Sequence, residues 1–178
     1  GLANIGDLNG DGVNDIAAGQ AGASWKGAID IMFMNTNGSV DSTVGIGHAT
    51  TNGPDLDNGD QFGGGIANIG DMNNDGVNDI AAGAAGDDMC ANGADTCSIR
   101  GAAYIMYMNT DGSVKSTVVI DDSTANGPVL ANNDYWAGKG LANIGDLNGD
   151  GVNDIAAGQA GASWKGAIDI MFMNTNGS

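Results

Sequence analysis

Apolar residues come in short runs along this chain, and glycine or an Asn/Asp cluster closes each run. Runs of that length between turn formers read as strands, not helices. The first unit predicts four strands, at 2–5, 16–19, 28–34 and about 43–46, and the last has a counterpart at 117–120. The run 28–34 is the strongest, and an Asn-Thr-Asn-Gly turn ends it. It does not alternate cleanly between apolar and polar. Ile29, Ile31 and Phe33 take one face; Ala28, Met32 and Met34 take the other, broken only by Asp30. A strand apolar on both faces is expected to be largely buried on both. A sheet packed between copies of itself has that property, as in a propeller blade or a stacked array. The methionines then read as core filler.

The copies are visible in the sequence. Residues 1–39 are identical to residues 140–178. A diverged copy starts at Gly65, and between 2–19 and 66–83 only Leu2/Ile66, Leu8/Met72 and Gly10/Asn74 differ. Lys26 aligns with Arg100, Met34 with Met108, Val40 with Val114 and Pro54 with Pro128. The units are therefore 1–64, 65–139 and a partial third, 140–178. The expected fold is all-β: tandem four-stranded antiparallel blades, forming an open array or part of a larger assembly.

Between the first two strands of each unit lies a nine-residue polar segment, at 7–15, 71–79 and 146–154. Each puts oxygen-bearing side chains at relative positions 1, 3, 5 and 9 and glycine at 6. Alternate side chains that point inward, a backbone carbonyl near position 7 and a glycine at the sharp turn wrap a hard cation. The candidate ligands are Asp7, Asn9, Asp11, the Val13 carbonyl and Asp15; Asp71, Asn73, Asp75, the Val77 carbonyl and Asp79; and Asp146, Asn148, Asp150, the Val152 carbonyl and Asp154. Three crowded carboxylates repel one another unless a cation sits among them. Calcium suits a flexible all-oxygen cage, whereas magnesium prefers to keep its waters. The bland alternative is a metal-free Asx-turn loop. An EF-hand is excluded, because its bidentate Glu at position 12 is replaced by Ala18, Ala82 and Ala157, and the flanks read as strands.

With these segments in view, the chain resembles the FG-GAP repeat of integrin alpha-subunit propellers. Phe62-Gly63, the loop 71–79 and the Gly83-Ala84-Ala85 triplet carry the resemblance. It implies propeller blades in which the loop joining the first two strands holds calcium. The third copy departs from it, with Trp136 and Ala137 in place of Phe-Gly.

Composition narrows the function. All 22 acidic residues are Asp, the formal net charge is −17, and nine of those Asp lie in the three loops. With five Lys and Arg in total, no basic patch can form, so nucleic acid is not an expected partner. No apolar run is long enough to span a membrane as a helix. Cys90 and Cys97 lie close together in an insertion of the second unit and are expected to form a local disulfide, which points outside the cell. Asn37 and Asn176 open glycosylation sequons in predicted turns. His48, the single imidazole, has no placed catalytic partner. Asp57 and Asp60 form a possible carboxylate pair in a loop with nothing apolar nearby. Among the aromatics, Trp25 and Trp164 are the candidates for exposure and sugar stacking; Trp136, Tyr104, Tyr107 and Tyr135 read as packing between blades. The leading expectation is a non-enzymatic, extracellular, calcium-stabilised array or filament, built by head-to-tail self-association or as a continuous tandem repeat. The alternative is an adhesion or lectin-like propeller for protein or glycan ligands.

Overall fold

The computed structural model describes residues 1–20, 22, 25–87, 99–161 and 166–178. Among the described residues eleven strands form three antiparallel sheets. The first holds β1 (Leu2–Gly6), β2 (Asp15–Gly19), β3 (Ala28–Met34) and β4 (Val40–Gly47). The second holds β5 (Phe62–Gly70), β6 (Asp79–Ala84), β7 (Ala102–Met108) and β8 (Val114–Ile120). Among the described residues the third holds β9 (Leu141–Gly145), β10 (Asp154–Gln159) and β11 (Ala167–Met171). In each sheet the strands lie side by side in chain order, so every connection inside a blade is a hairpin. The fourth strands begin earlier than the apolar pattern suggests. Val40 and Val114 already pair with Met34 and Met108, through backbone bonds that polar side chains do not prevent. β5 begins at Phe62, ahead of Gly65.

The sheets pack face to face, with β1, β5 and β9 as neighbouring inner strands. One core lies between the first and second blades. There Ile29, Ile31 and Phe33 meet Ala102, Tyr104, Met106 and Met108. The other lies between the second and third, where Ala103, Ile105 and Tyr107 meet Met173 and Trp136. Burial on both faces therefore holds in full only for the middle blade. Every residue of β7 is buried, whereas β3 alternates buried with half-buried.

Close approach of the blades depends on glycine. A Cβ on Gly19 would stand within 2.8 Å of the Gly63 carbonyl carbon, and one on Gly27 within 2.8 Å of the Phe62 Cα. Phe62 N–H donates to Lys26 O at 2.9 Å, which ties the lead-in of the second blade to the first. Trp136 N–H repeats this on Arg100 O at 2.8 Å. The Phe-Gly dipeptide is thus the seam between one blade and the next.

The two seams differ in side-chain size. Phe62 packs edge-on against Tyr104, with centroids 5.5 Å apart and planes at 86°. Tyr104 is replaced by Asp169 in the third blade, and there Trp136 donates its indole N–H to that carboxylate at 2.9 Å. A methyl on Gly63 would come within 2.8 Å of Ile29 Cγ2. At the second seam both positions are alanine, Ala137 and Ala103, and both are buried. Ala137 sits at φ 57°, a conformation costly for any residue with a Cβ.

Candidate metal centre

Each nine-residue loop begins at a bulge. The register of β1 against β2 shifts between Asn4 and Gly6, and β5 and β9 shift at Gly70 and Gly145. Gly6 has φ 74°, and its N–H donates to Asn4 Oδ1 at 2.8 Å. Positions 4 and 6 of the loop also take left-handed backbone. Gly12, Gly76 and Gly151 have φ near 90°, and Gly10 and Asn74, at φ 79° and 58°, are the two residue types that tolerate it best. That explains why Gly10 exchanges with Asn74 between otherwise matched loops.

The carboxylates serve the backbone. Asp7 accepts from Gly10 N at 2.7 Å, Asp11 N at 3.0 Å and Gly12 N at 2.8 Å. Asn9 Oδ1 accepts from Asp11 N at 3.0 Å, and Asp11 Oδ1 from Val13 N at 2.8 Å. The loop at 146–154 repeats all of these contacts. The loop at 71–79 repeats them except the bond to position 4. Each side-chain oxygen so used keeps a second lone pair. The donor set is all oxygen, as a hard cation requires. Yet among the described residues no three of the Asp, His, Cys or Glu side chains stand close enough together to hold a metal ion.

Position 9 behaves differently from the rest. Asp15, Asp79 and Asp154 are completely buried. Asp79 Oδ2 accepts from Met72 N at 2.9 Å and Oδ1 from Met108 N at 3.1 Å, so this carboxylate braces the loop against the third strand of its own blade. Asp15 and Asp154 bridge the same way, to Leu8 and Met34 and to Leu147 and Met173. Burial pushes the Asp79 carboxyl up to about 6, against the pull of those two N–H donors. Asp75 is held below the usual range, first by Lys115, whose ammonium lies 2.8 Å away. In the first unit Lys115 aligns with Asp41, so the second loop carries a cation at its rim where the first has a carboxylate. Asp146 is lowered by the N–H groups of its own loop, Gly151 first.

Position 8 carries a role that the motif did not suggest. Asn78 Nδ2 reaches across the seam to Ile5 O of the preceding blade at 3.0 Å, and Asn153 Nδ2 to Ile69 O at 2.9 Å. A Cβ on Gly70 would stand 2.6 Å from that Asn153 amide nitrogen. The bulge glycine is what admits the clamp. Asn14, with no blade before it here, is exposed. The repetition of this residue beside each loop was legible, but not its partner, which lies more than 70 residues away.

The remaining sequence candidates are not brought together. Asn37 and Asn176 are exposed in their turns. His48 Nδ1 lies 3.7 Å from Asp55 and takes Leu56 N–H at 3.4 Å. Asp60 departs from the loop reading. It is buried, its Oδ2 accepts from Asp57 N at 2.6 Å, and its carbonyl takes Gly86 N–H, so it buttresses the turn before Phe62. Tyr104, Tyr107 and Trp136 are buried between blades, while Trp25 is 77% exposed. Tyr104 donates to Asp87 Oδ2 at 2.7 Å, and burial with that carboxylate pushes its hydroxyl up. Cys90, Cys97 and Trp164 lie outside the described residues. Among the described residues no helix is long and apolar enough to cross a membrane.

Three stacked antiparallel sheets, each with the same aspartate loop between its first two strands, set the context for comparison with known proteins. No protein-family model matches the chain. Integrin alpha-PS5 of Drosophila melanogaster is 30% identical over 162 residues, 88% of this chain and 14% of that protein. Integrin alpha-4 of Xenopus laevis is 29% identical over 155 residues, covering 85% and 13%. Integrin alpha pat-2 of Caenorhabditis briggsae is 28% identical over 191 residues, covering 97% and 14%. The repeat is of the FG-GAP, integrin-alpha type. The chain spans about a seventh of the length of the integrin alpha relatives it matches. In these FG-GAP-type blades the Phe-Gly seam and the aspartate loop sit at opposite ends of the inner strand, one set by packing and the other by polar chemistry.

Proposed function

We propose that these blades form part of an extracellular, adhesion-type β-propeller, non-enzymatic, whose loops at 7–15, 71–79 and 146–154 hold calcium. The observation that carries this reading is the likeness to an integrin alpha subunit along 88% of the chain. The stacking of blades on one another supports it. Glycan or protein ligands are the expected partners, and the exposed Trp25 ring is a candidate contact. Calcium would be taken by Asp7, Asn9, Asp11, the Val13 carbonyl and Asp15, and by their counterparts, with the side chains turning from backbone N–H toward the ion. The second loop should bind it more weakly than the first, because Lys115 already neutralises Asp75.

Calcium at about 100 times its dissociation constant contributes roughly 2.7 kcal/mol per site to folding. The test measures melting with millimolar calcium and with chelator, then binding of immobilised chain to matrix proteins and a glycan array. A higher melting temperature with calcium, and ligand binding lost on chelation, are expected. A calcium-loaded, folded chain that binds no protein or glycan overturns the adhesion reading; an unchanged melting curve after confirmed metal removal overturns the calcium reading.

One observation favours a tandem filament as a second reading: residues 1–39 recur identically at 140–178 on either side of a diverged middle copy. Electron microscopy that finds fibres with two blades per axial repeat would support it over a compact ring.

A further inference from the structure

Asn-Gly is a dipeptide open to spontaneous loss of the asparagine amide, because glycine puts no Cβ in the way of its own nitrogen reaching the preceding side chain. The step occurs eight times in this chain, and two of the eight lie inside the aspartate loops, at Asn9-Gly10 and Asn148-Gly149. The second loop has Asn73-Asn74 instead.

The first and third loops arrange the atoms that would react. Gly10 N–H donates to Asp7 Oδ1 at 2.7 Å, and Gly149 N–H to Asp146 Oδ1 at 2.6 Å. Asn9 Oδ1, on the carbon open to attack, accepts from Asp11 N at 3.0 Å; Asn148 Oδ1 accepts from Asp150 N at 2.9 Å. The nitrogen that must leave donates to the next carboxylate, Asn9 Nδ2 to Asp11 Oδ2 at 3.1 Å and Asn148 Nδ2 to Asp150 Oδ2 at 2.8 Å. A base beside the nucleophile, a donor on the carbonyl oxygen and an anion beside the departing nitrogen each lower the barrier to such a displacement. Both asparagines are exposed, so water reaches them. Nothing lies within 4 Å of where a Cβ on either glycine would stand, so a new ring has room. The other Asn-Gly steps among the described residues lack the base. At Asn37, Asn52, Asn58, Asn126 and Asn176 the glycine N–H donates to a backbone carbonyl, at 2.8–2.9 Å. In the second loop Asn73 is half-buried and Asn74 brings a side chain to the residue that would attack.

We propose that Asn9 and Asn148 are sites of self-catalysed deamidation, with Asp7 and Asp146 as the bases. Gly10 N bonds to Asn9 Cγ while its proton passes to Asp7 Oδ1. The Cγ–Nδ2 bond then breaks, and Nδ2 leaves as ammonia with that proton, giving a five-membered succinimide. Solvent water opens the ring and leaves an aspartate or a β-linked isoaspartate at position 9; nothing is oxidised or reduced. Each event adds a negative charge at position 3 of its loop, and the β-linked product also puts an extra carbon into the backbone. The second loop keeps its amide, so loops that are alike when made diverge with age.

The test incubates the full chain at neutral pH in heavy-oxygen water, with chelator so that the outcome stands apart from calcium binding. Ring opening adds a solvent oxygen, and fragment mass spectra place each label. Peptides that retain residues 136–139 tell the two identical segments apart. In the folded chain, label at Asn9 and Asn148 is expected about tenfold faster than at Asn52, Asn58 and Asn126, and in strong urea the difference should vanish. Asp7→Asn keeps an acceptor for Gly10 N–H but removes the base; it should slow Asn9 to the rate of Asn52 and leave Asn148 fast. Asn74→Gly recreates the Asn-Gly step of the other loops and should speed label at Asn73. Equal rates in the folded chain, the same ranking in urea, an Asn9 rate untouched by Asp7→Asn, or no gain at Asn73 overturns the inference.

Discussion

Gly19 and Gly158 occupy the same place in identical 39-residue segments, and only one faces another blade. Alanine at each makes a matched experiment. At Gly19 the new methyl would lie 2.8 Å from the Gly63 carbonyl carbon and nearer still to its oxygen. Carbon atoms in favourable contact sit about 3.5–4.0 Å apart, so the sheets must part by roughly 1 Å, and a gap of that size forfeits a quarter to a half of the dispersion energy along the seam. The obstacle is backbone, so no side chain can swing away. Overpacking of this kind costs about 1–3 kcal/mol or more. We expect about 3 kcal/mol for Gly19→Ala. Gly158→Ala meets open space and should stabilise slightly, by about 0.5 kcal/mol, through the stiffer unfolded chain. With a urea slope of about 2 kcal/mol/M the Gly19→Ala midpoint falls by roughly 1.5 M while that of Gly158→Ala barely moves. Circular dichroism in urea checks both. Equal shifts for the two variants would refute the claim that glycine is there to let blades touch.

Two further outcomes are expected. Asn153→Ala should cost about 1 kcal/mol by removing the 2.9 Å bond to Ile69 O, while Asn14→Ala at the same place in the repeat should cost nearly nothing; thermal melts decide. For Asp79 the carboxyl is raised from 3.8 to about 6 in the fold, so the unfolded chain releases this proton first. Its contribution to stability is therefore largest below pH 4 and is lost as pH rises to about 6 in chelator. Asp79→Asn should flatten that slope, as read from exchange of the Met72 and Met108 amides between pH 4 and 7.

Most strand positions were readable because β-hairpins declare themselves locally, through glycine, Asx turns and apolar runs; the start of β5 at Phe62 was not, because it is set by pairing with the preceding blade. The loops were readable for the same reason: the spacing of Asp71, Asn73, Asp75 and Asp79 is contained in nine residues. What the sequence hid was any role set by a neighbour far along the chain. Asp79 looked like one more ligand, and only the packed blade reveals it as a buried brace to Met108. Asn78 has no role in the spacing of the loop, and only the packed blades bring Ile5 O beside it. Trp136-Ala137 looked like a lapse from the Phe-Gly motif. Its reason lies in Ala103 and Asp169, on two other strands, neither of which the local pattern connects to it. Asp60 reads in the sequence as half of a possible loop pair with Asp57; its burial and the bond from Gly86 N–H to its carbonyl come from a segment the local pattern does not connect to it.

The identity of residues 1–39 with 140–178 also poses a problem of kinetic competition. The second blade has one receiving face, bearing Tyr104, and two segments carry the matching surface. During refolding the third blade of another molecule competes with the first blade of the same one. The short connection from β4 to β5 gives the first blade an effective concentration of about millimolar, so it wins in dilute solution. Above that concentration the advantage vanishes, and exchanged, chain-linked assemblies form by the same contacts that build the native molecule. Yield on refolding should therefore depend on dilution far more steeply than for a protein whose repeats have diverged.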